Sequence, residues 1–461
     1  MSVAIASTSL QQRLDQLREQ HGVPGASLAV LRDDEISSVA SGLLNLDTGV
    51  EATTESLFQI GAITKVWTTT VVMQLVDEGL VELDAPVRRY LPELRVADES
   101  VAEAVTIRHL LTHSSGIDGD NFADTGRGDD ALEKYVASCA ELLQVHPLGG
   151  TMSYCNTGFS LLGRVIEVAT GEVWDSAMRT RLFEPMQLTH TATLPEDVLR
   201  FRAAIGHIDP SGKGLQTAPM WGLPRTAGPA GGICSTATDV AQFARLHLAG
   251  GALGDTQVVS AASVRAMQVP QVEVPSGGDG ISSRHWGLGW SLFGWNGRTV
   301  LGHDGGTIGQ SAFLRAVPDA GVAVVLLTNG GNTLALFRDV FGELLHDLAG
   351  VDLPAELAPP ETPLPVDPSA YVGVYERQGA SIRVDAKDGG LVAVQTVTGL
   401  GSEMTPDPFE LQFHLLAEDD DLFVTQHPAA PGVWLPVRFV TLADGSRVLH
   451  AGGRATPRTG D

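Results

Sequence analysis

Three short segments of this sequence hold side chains suited to proton transfer. FQIGAITKV places Lys65 in an apolar run, YCN carries Tyr154 and Asn156, and HDGG carries His303. A lysine accepts a proton only when it is neutral, and burial can lower its pKa of ~10.4 by several units, whereas arginine stays charged. Only four of the 30 basic residues are lysine. A lysine inside an apolar run is therefore a candidate proton acceptor.

Each segment taken alone is also typical of ordinary structure. Lys65 alone would fit a surface position, Tyr154 a turn, and His-Asp-Gly-Gly a hairpin. Two further histidines, His109 and His113, stand close to leucines, so we expect them to pack there with cap or loop hydrogen bonds. Cys155 has no base beside it in sequence and is interpreted as a small hydrophobic residue.

The composition excludes several classes of function. Of the 461 residues, 43% are hydrophobic and 18% charged, which is typical of a folded chain of two or three domains. The net charge of −25 argues against nucleic acid and against an anionic membrane as partners. The three cysteines are widely spaced, and no metal-binding or nucleotide-binding motif occurs, so we expect no metal and no cofactor. The first twenty residues lack the apolar region of a signal peptide, which predicts a cytoplasmic protein.

The first half of the chain mixes helices with strands. Leucines at helical spacing predict a first helix, and GASLAVLRDDEISSVASGLL predicts two strands around a turn at Asp33 and Asp34. An apolar segment from about 63 to 76 predicts a buried helix. Residues 85 to 225 predict a helical subdomain, with one helix over 156–171 that ends at Gly171. A helix over 235–251 should follow, capped by Thr238 or Ser235.

The second half predicts an antiparallel sheet and then a separate domain. WGLGWSLF, RTVLGHDG, SAFLRAVP and GVAVVLLTN predict four successive strands joined by short turns, before a helix around 334–345. A proline-rich linker spans 353–368. Beyond it, short alternating strands over 369–461 predict a small β-barrel or β-sandwich domain. We therefore predict one domain over 1–352 and a second over 369–461.

The order of the motifs resembles the family of class C β-lactamases and D,D-peptidases. The segments FQIGAITKV, TIRHLLTHSSGI, YCN, PAGGICSTATD and HDGG follow one another at plausible spacings, and the resemblance covers about residues 8 to 350. It implies an α/β fold, namely a β-lactamase/transpeptidase-like α/β/α sandwich with an antiparallel sheet and a helical subdomain. The C-terminal all-β domain is interpreted as a lipocalin-like barrel.

The Ser-x-x-Lys motif of that family has alanine at its serine position here. Ala62 stands three residues before Lys65, and on a helix these two positions share a face. A serine hydroxyl needs an adjacent base, so the resemblance implies a nucleophile position at 62 with Lys65 as its base. Thr64 would point about 200° away from position 62 and cannot replace the missing hydroxyl.

The remaining motif residues take their expected roles from the same resemblance. Tyr154 would transfer a proton to and from the leaving group, and Asn156 would contact a substrate amide or steady the lysine. His303 stands where the β-lactamases carry lysine, which is similar to the esterase, D-aminopeptidase and thioesterase branches. Gly305 would let a substrate lie close to the strand. The backbone N–H of Gly306, with that of residue 62, would form the oxyanion hole.

Ala62 leaves two hypotheses open. In the first, the natural protein is an enzyme and alanine is an engineered substitution. In the second, the natural gene encodes alanine and the protein is a non-catalytic binder. The intact Lys65 and Tyr154 favour the first hypothesis, because a protein without catalysis would have no need of them.

The substrate is less clearly indicated than the chemistry. The chain length, His303 and the extra β domain resemble the penicillin-binding-protein-type thioesterases, which release or macrocyclise non-ribosomal peptides. We therefore expect a peptide or small-molecule substrate, presented on a carrier protein in the peptide case. A carboxylate on it would need a basic partner, for which Arg438 and Arg447 are candidates. The alternative is an esterase or a D-amino-acid amidase or peptidase. The sequence does not indicate the oligomeric state.

Overall fold

A computed structural model describes residues 7–276, 282–397, 409–428, 430 and 432–461. In this part of the chain the α-helices are α1 (Ser7–Gln20), α2 (Thr64–Asp77), α3 (Glu99–Ala104), α4 (Ile107–Leu111), α5 (Ala131–Ser138), α6 (Asn156–Thr170), α7 (Trp174–Met178), α8 (Pro195–Val198), α9 (Gly228–Gly231), α10 (Ala237–Leu248), α11 (Ala261–Met267) and α12 (Thr333–Ala349).

The strands of the first 330 residues are short at the periphery and long at the centre. They are β1 (Gly25–Arg32), β2 (Glu35–Asn45), β3 (Val50–Glu51), β4 (Phe58–Gln59), β5 (Thr191–Ala192), β6 (His207–Ile208), β7 (Gln216–Thr217), β8 (Cys234–Ser235), β9 (Ala252–Leu253), β10 (Thr256–Gln257), β11 (Val272–Glu273), β12 (His285–Trp286), β13 (Ser291–Trp295), β14 (Arg298–Gly306), β15 (Ser311–Val317) and β16 (Val322–Thr328).

The main sheet has nine strands in the order β11-β12-β13-β14-β15-β16-β1-β2-β3. Its pairings are antiparallel, as the four successive strand patterns predict. The N-terminal strand β1 lies beside β16, with Ala26 opposite Thr328. Asp33 and Asp34 both have positive φ, which forms the tight hairpin between β1 and β2.

Helices cover both faces of this sheet. Alternate residues of β16 point to opposite sides: Val324 and Leu326 pack against α1 and α12, while Val325 and Leu327 belong to the larger core that contains α2, α6 and α10. This is the predicted α/β/α sandwich, and both faces of its central strands are apolar because both are buried.

Helix termini follow the sequence signals with one exception. Gly171 ends α6 in a left-handed conformation, as predicted. The predicted cap of α10 was wrong: Thr236 caps it by accepting a hydrogen bond from the Asp239 N–H, rather than Ser235 or Thr238. The three hydroxyl residues lie within four positions, so the sequence alone did not distinguish them.

The C-terminal part forms a closed eight-stranded barrel, which confirms the predicted barrel. Its strands are β17 (Gly373–Arg377), β18 (Ala380–Lys387), β19 (Gly390–Val397), β20 (Phe409–Asp419), β21 (Leu422–Gln426), β22 (Trp434–Thr441), β23 (Arg447–Ala451) and β24 (Arg454–Gly460). The boundaries at 352 and 368 between the predicted domains stay predictions.

The barrel packs directly against the first part of the chain. Val448 and Ala455 form a small apolar cluster with Val145. One nitrogen of the buried His450 lies 2.8 Å from Ser276 Oγ, and the other 3.1 Å from the carbonyl oxygen of Met152. This interface brings barrel residues close to the motif residues described next. Within the described ranges, no helix is long and apolar enough to cross a membrane.

Candidate active site

Position 62 and Lys65 lie where a 3₁₀ turn over Gly61–Ile63 runs into α2. Ala62 is partly exposed, whereas Lys65 is only 1% exposed. The Lys65 Nζ donates a hydrogen bond to the carbonyl oxygen of Ala230 at 2.7 Å. Burial lowers the pKa of Lys65 well below its usual value, and the positive charge of Arg454 adds to this effect. The lowered pKa favours the neutral, proton-accepting form of the amine that a general base requires.

Tyr154 lies directly against this amine. Lys65 Nζ is 4.7 Å from the centroid of the Tyr154 ring, and the guanidinium carbon of Arg454 is 5.2 Å from it. The backbone N–H of Tyr154 donates to the carbonyl oxygen of Gly453, which belongs to the turn between β23 and β24 of the barrel. Burial raises the pKa of the phenol, so Tyr154 stays protonated at neutral pH.

His303 completes the cluster from the middle of β14. Its ring centroid lies 6.2 Å from that of Tyr154, and the residue is 3% exposed. Its Nδ1 lies 2.7 Å from the carbonyl oxygen of Asp304, and Nε2 has no hydrogen-bond partner among the described residues. Burial, with the nearby Lys65, lowers the pKa of His303 to about 3. With Nδ1–H donating to the carbonyl, Nε2 is a buried acceptor without a partner among the described residues.

The glycines of HDGG bring two backbones into contact. A Cβ on Gly305 would lie 1.9 Å from the carbonyl oxygen of Ile60 and 3.1 Å from the amide nitrogen of Ala62. A Cβ on Gly61 would lie 2.7 Å from the amide nitrogen of Gly306. Only glycine permits this approach, and it places the Ala62 and Gly306 amides on adjoining segments, as an oxyanion hole requires.

An ion-pair cluster joins the barrel to this site. Asp120 accepts hydrogen bonds from Arg377 Nη1 at 2.8 Å, from Arg454 Nε at 2.8 Å and from Asn156 Nδ2 at 3.1 Å. Burial alone would raise the pKa of Asp120, but the two guanidinium groups outweigh it and the pKa is lowered. Asn156 is thereby oriented by a carboxylate that also anchors two barrel strands.

The predicted histidines divide into two kinds. His109 forms a capping box with Thr106 at the start of α4, which agrees with the predicted cap hydrogen bond. His113 accepts a hydrogen bond from the Cys155 N–H at 3.0 Å, and its ring centroid lies 4.4 Å from that of Tyr154. His113 thus makes the expected loop hydrogen bond, and it also packs against the ring of Tyr154, a contact that the sequence did not indicate.

The barrel arginines at the site are not the two expected ones. Arg447 pairs with Asp421 at 2.5 Å and lies over the ring of Tyr371, inside the barrel domain. Arg438 is partly buried on β22, opposite His450. Arg377 and Arg454 reach the cluster instead. The substrate-binding roles of Arg438 and Arg447 stay predictions, and the positions of the two residues give these roles no further support.

Two cavities that share lining residues lie beside these groups. The larger has a volume of about 1030 Å³ and is lined by Gly231, where a Cβ would lie 3.7 Å from the carbonyl carbon of Gly61. The smaller, of about 630 Å³, is lined by Tyr154 and His303 and extends into the barrel. The residues that line both are Arg377, Gln395 and Arg454. In the part of the chain that the structure describes, no group of His, Cys, Asp and Glu side chains is arranged to hold a metal ion.

Comparison of the sequence with known proteins identifies one family. The β-lactamase family model matches residues 10–345. Penicillin-binding protein 4 of Amycolatopsis lactamdurans is 48% identical over 373 residues, which cover 80% of this chain and 98% of the relative.

Two groups of solved structures are similar. SurE superposes with a TM-score of 0.79 at 29% identity, covering 98% of this chain and 99% of SurE; it is also known with D-Leu. The D-amino acid amidase of Ochrobactrum anthropi SV3 has a TM-score of 0.58 at 25% identity, covering 70% of this chain and 91% of the amidase. The chain thus belongs to the β-lactamase family, whose members are penicillin-binding proteins and serine hydrolases or acyltransferases.

Proposed function

We propose that this fold, with serine at position 62, is a peptidyl acyltransferase that accepts a peptide from a carrier-bound thioester and passes it to the peptide's own amine. The observation that carries the proposal is a pair of adjoining cavities that share Arg377, Gln395 and Arg454, the smaller of which is lined by Tyr154 and His303. A cyclising enzyme has to hold both ends of one peptide at the nucleophile, and each cavity has a size typical of a ligand site. A short ester would need only one of them.

Each residue of the candidate active site has a role in one or both half-reactions. In the first, the serine oxygen attacks the thioester carbon while neutral Lys65 takes the hydroxyl proton. The oxyanion is held by the amides of residue 62 and Gly306. The Tyr154 phenol, protonated because of its raised pKa, gives its proton to the departing thiolate and regains one from Lys65.

The second half-reaction runs the same groups in reverse. The peptide amine attacks the acyl-enzyme and passes a proton to Tyr154 as the phenol passes its own proton to Lys65, and the protonated Lys65 then returns a proton to the serine oxygen as it leaves. The Nε2 of His303, which has no hydrogen-bond partner among the described residues, would accept a hydrogen bond from the incoming amine. Water in place of the amine would give hydrolysis instead.

Two of the relatives support a D-configured residue in the substrate. SurE was solved with D-Leu, and another similar structure is that of a D-amino acid amidase. We therefore propose a peptide with a D-residue at the acyl or the amine end. The chain with Ala62 would bind such a peptide but form no acyl-enzyme.

The test compares the Ala62→Ser variant with the chain as it stands. Intact-protein mass after reaction with a fluorophosphonate should show one adduct on the serine variant and none on the parent, and adding Lys65→Met should abolish it. Absence of labelling and of turnover in the serine variant would instead support the non-catalytic binder.

The substrate class is decided by two assays on the same variant. A linear peptidyl thioester mimic ending in a D-residue should give a macrocycle with the loss of one thiol. Hydrolysis of a short-chain aryl ester without any macrocyclic product would replace the proposal by the esterase or amidase alternative.

A further inference from the structure

The interior of the barrel differs between its two ends. One end is filled by aromatic side chains: the ring centroids of Tyr375 and Phe439 are 5.7 Å apart, and those of Phe423 and Phe439 are 5.5 Å apart. Arg447 closes this end by lying over the ring of Tyr371 at 4.8 Å. An eight-stranded barrel is just wide enough to be filled by its own side chains or to hold one small ligand. At this end, side chains fill it.

The other end opens toward the catalytic cluster. The cavity of about 630 Å³ has Tyr154 and His303 on one side. On the other side it is lined by inward-facing residues from six consecutive barrel strands, namely Ile382, Ala393, Leu415, Thr425, Val437 and Leu449. The cavity therefore extends from Tyr154 and His303 to the inward-facing residues of the barrel.

The lining has the character of a site for an apolar chain. Two of its members are alanines, Ala393 and Ala451, at places where larger residues would fill the space. Of the six inward-facing residues named above, Thr425 alone is polar: it is 3% exposed, and its Oγ1 has no hydrogen-bond partner among the described residues. A buried hydroxyl without a partner is costly, and a ligand carbonyl would satisfy it.

We infer that the open end of the barrel is a binding site for an aliphatic chain attached to the substrate next to an amide or ester carbonyl. The chain would occupy the apolar wall from Ala393 to Leu449, and its carbonyl would accept a hydrogen bond from Thr425. Either a long aliphatic side chain or an N-acyl group of the peptide supplies this chemistry. The inference rests on the proposed function for the reaction that follows, but binding itself requires no nucleophile.

The first measurement therefore uses the chain with Ala62, by isothermal titration calorimetry. Octanoyl-D-leucine amide should bind at least about tenfold more tightly than acetyl-D-leucine amide, since each buried CH₂ contributes roughly fourfold in affinity. A third ligand, acetyl-D-2-aminodecanamide, carries the same length of chain as a side chain. Whichever long ligand binds more tightly identifies the source of the chain, and equal binding of all three would overturn the inference.

Variants of the barrel locate the chain. Ala393→Trp fills the open end and should abolish the advantage of the long ligand, while Ala386→Trp, which is exposed on the preceding strand, should preserve it. Thr425→Val keeps the volume and should weaken the long ligand severalfold; it guards against a tryptophan variant that fails to fold. If Ala393→Trp keeps the advantage of the long ligand, or if Thr425→Val leaves the affinity for the long ligand unchanged, the chain binds elsewhere and the site is refuted. Acyl-enzyme formation by Ala62→Ser would be unaffected by that result, so the two proposals fail independently.

Discussion

Replacing Arg454 by glutamine should raise the pKa of Lys65, because the guanidinium is the main positive charge that opposes protonation of the buried amine. Both groups face the ring of Tyr154, with Lys65 Nζ at 4.7 Å and the Arg454 guanidinium carbon at 5.2 Å from its centroid. The two charges are thus at most about 10 Å apart, and at an effective dielectric constant of about 20 they repel by at least about 1.7 kcal/mol. Because about 1.4 kcal/mol is a tenfold change in a protonation equilibrium, the variant should protonate Lys65 more than tenfold more readily.

The assay can use the chain as it stands, since it contains only four lysines. In protein labelled with ¹³C-lysine, the ¹³Cε signal of Lys65 should titrate at lower pH than the other three, and Lys65→Met assigns it. Arg454→Gln should move its midpoint to higher pH. Arg458→Gln, on the same strand but paired with Asp461, is the matched control and should leave it unchanged.

The same change has a kinetic consequence in the Ala62→Ser enzyme. Neutral Lys65 is the active form, so activity should rise as pH increases through its pKa, and Arg454→Gln should move this acid limb to higher pH. Below the midpoint, kcat/KM of the double variant should be about tenfold lower than that of the Ala62→Ser enzyme. An unmoved NMR midpoint together with an unmoved acid limb would refute the idea that the barrel tunes the base.

Three further outcomes are expected. Gly305→Ala should lower the free energy of unfolding by about 1–3 kcal/mol or more in urea titrations, because its Cβ would meet a carbonyl oxygen at 1.9 Å. A Cβ at Gly306 would meet nothing within 4 Å, so Gly306→Ala should leave the free energy of unfolding nearly unchanged. Similar losses in the two variants would contradict the close backbone approach. Asp120→Ala leaves two guanidinium groups without their carboxylate partner and should lower the free energy of unfolding by about 3 kcal/mol. Asp129→Ala is the control, since its carboxylate is exposed, and should lower it by less than about 1 kcal/mol. Calorimetric melting compares the two variants, and equal losses would argue against a buried ion-pair cluster at Asp120. Lys65 binds fewer protons in the folded chain than in the unfolded chain at pH values between its lowered pKa and about 10.4. Its contribution to stability should therefore increase with pH across that window, and Lys65→Met should make the slope of stability against pH less positive than in the parent. An equal slope for the two proteins in urea titrations at several pH values would contradict the lowered pKa.

The predictable part of the fold is the part encoded by local patterns. Positive φ values at Asp33 and Asp34, and the end of α6 at Gly171, follow from the residue types at those positions. In the barrel, six strands were predicted, and β20 and β24 were not. Apolar and polar residues alternate over 409–415 of β20, so that strand could have been predicted, whereas β24 contains Pro457 among polar residues. Their neighbours in the closed barrel supply the hydrogen bonds that make them strands.

The candidate active site shows the same difference between residues in local motifs, which could be predicted, and residues joined by long-range contacts, which could not. Lys65, Tyr154 and His303 lie in compact motifs, so their types and order were enough to bring them together in the prediction. The partners of Asp120 lie 257 and 334 residues away, at Arg377 and Arg454. No periodicity or spacing encodes contacts of that range, and choosing Arg438 and Arg447 from the arginines of the β domain rested on composition alone.

The pairing of β1 with β16 affects how the protein is synthesised. Ala26 meets Thr328 in the finished sheet, and at about 5–20 residues per second a ribosome needs roughly 15–60 s to make the intervening chain of about 300 residues. Through that interval the N-terminal hairpin keeps one edge unpaired and its apolar faces uncovered, a state that favours aggregation. The nascent hairpin therefore needs shielding, by helix α1 or by a chaperone, until most of the polypeptide has emerged.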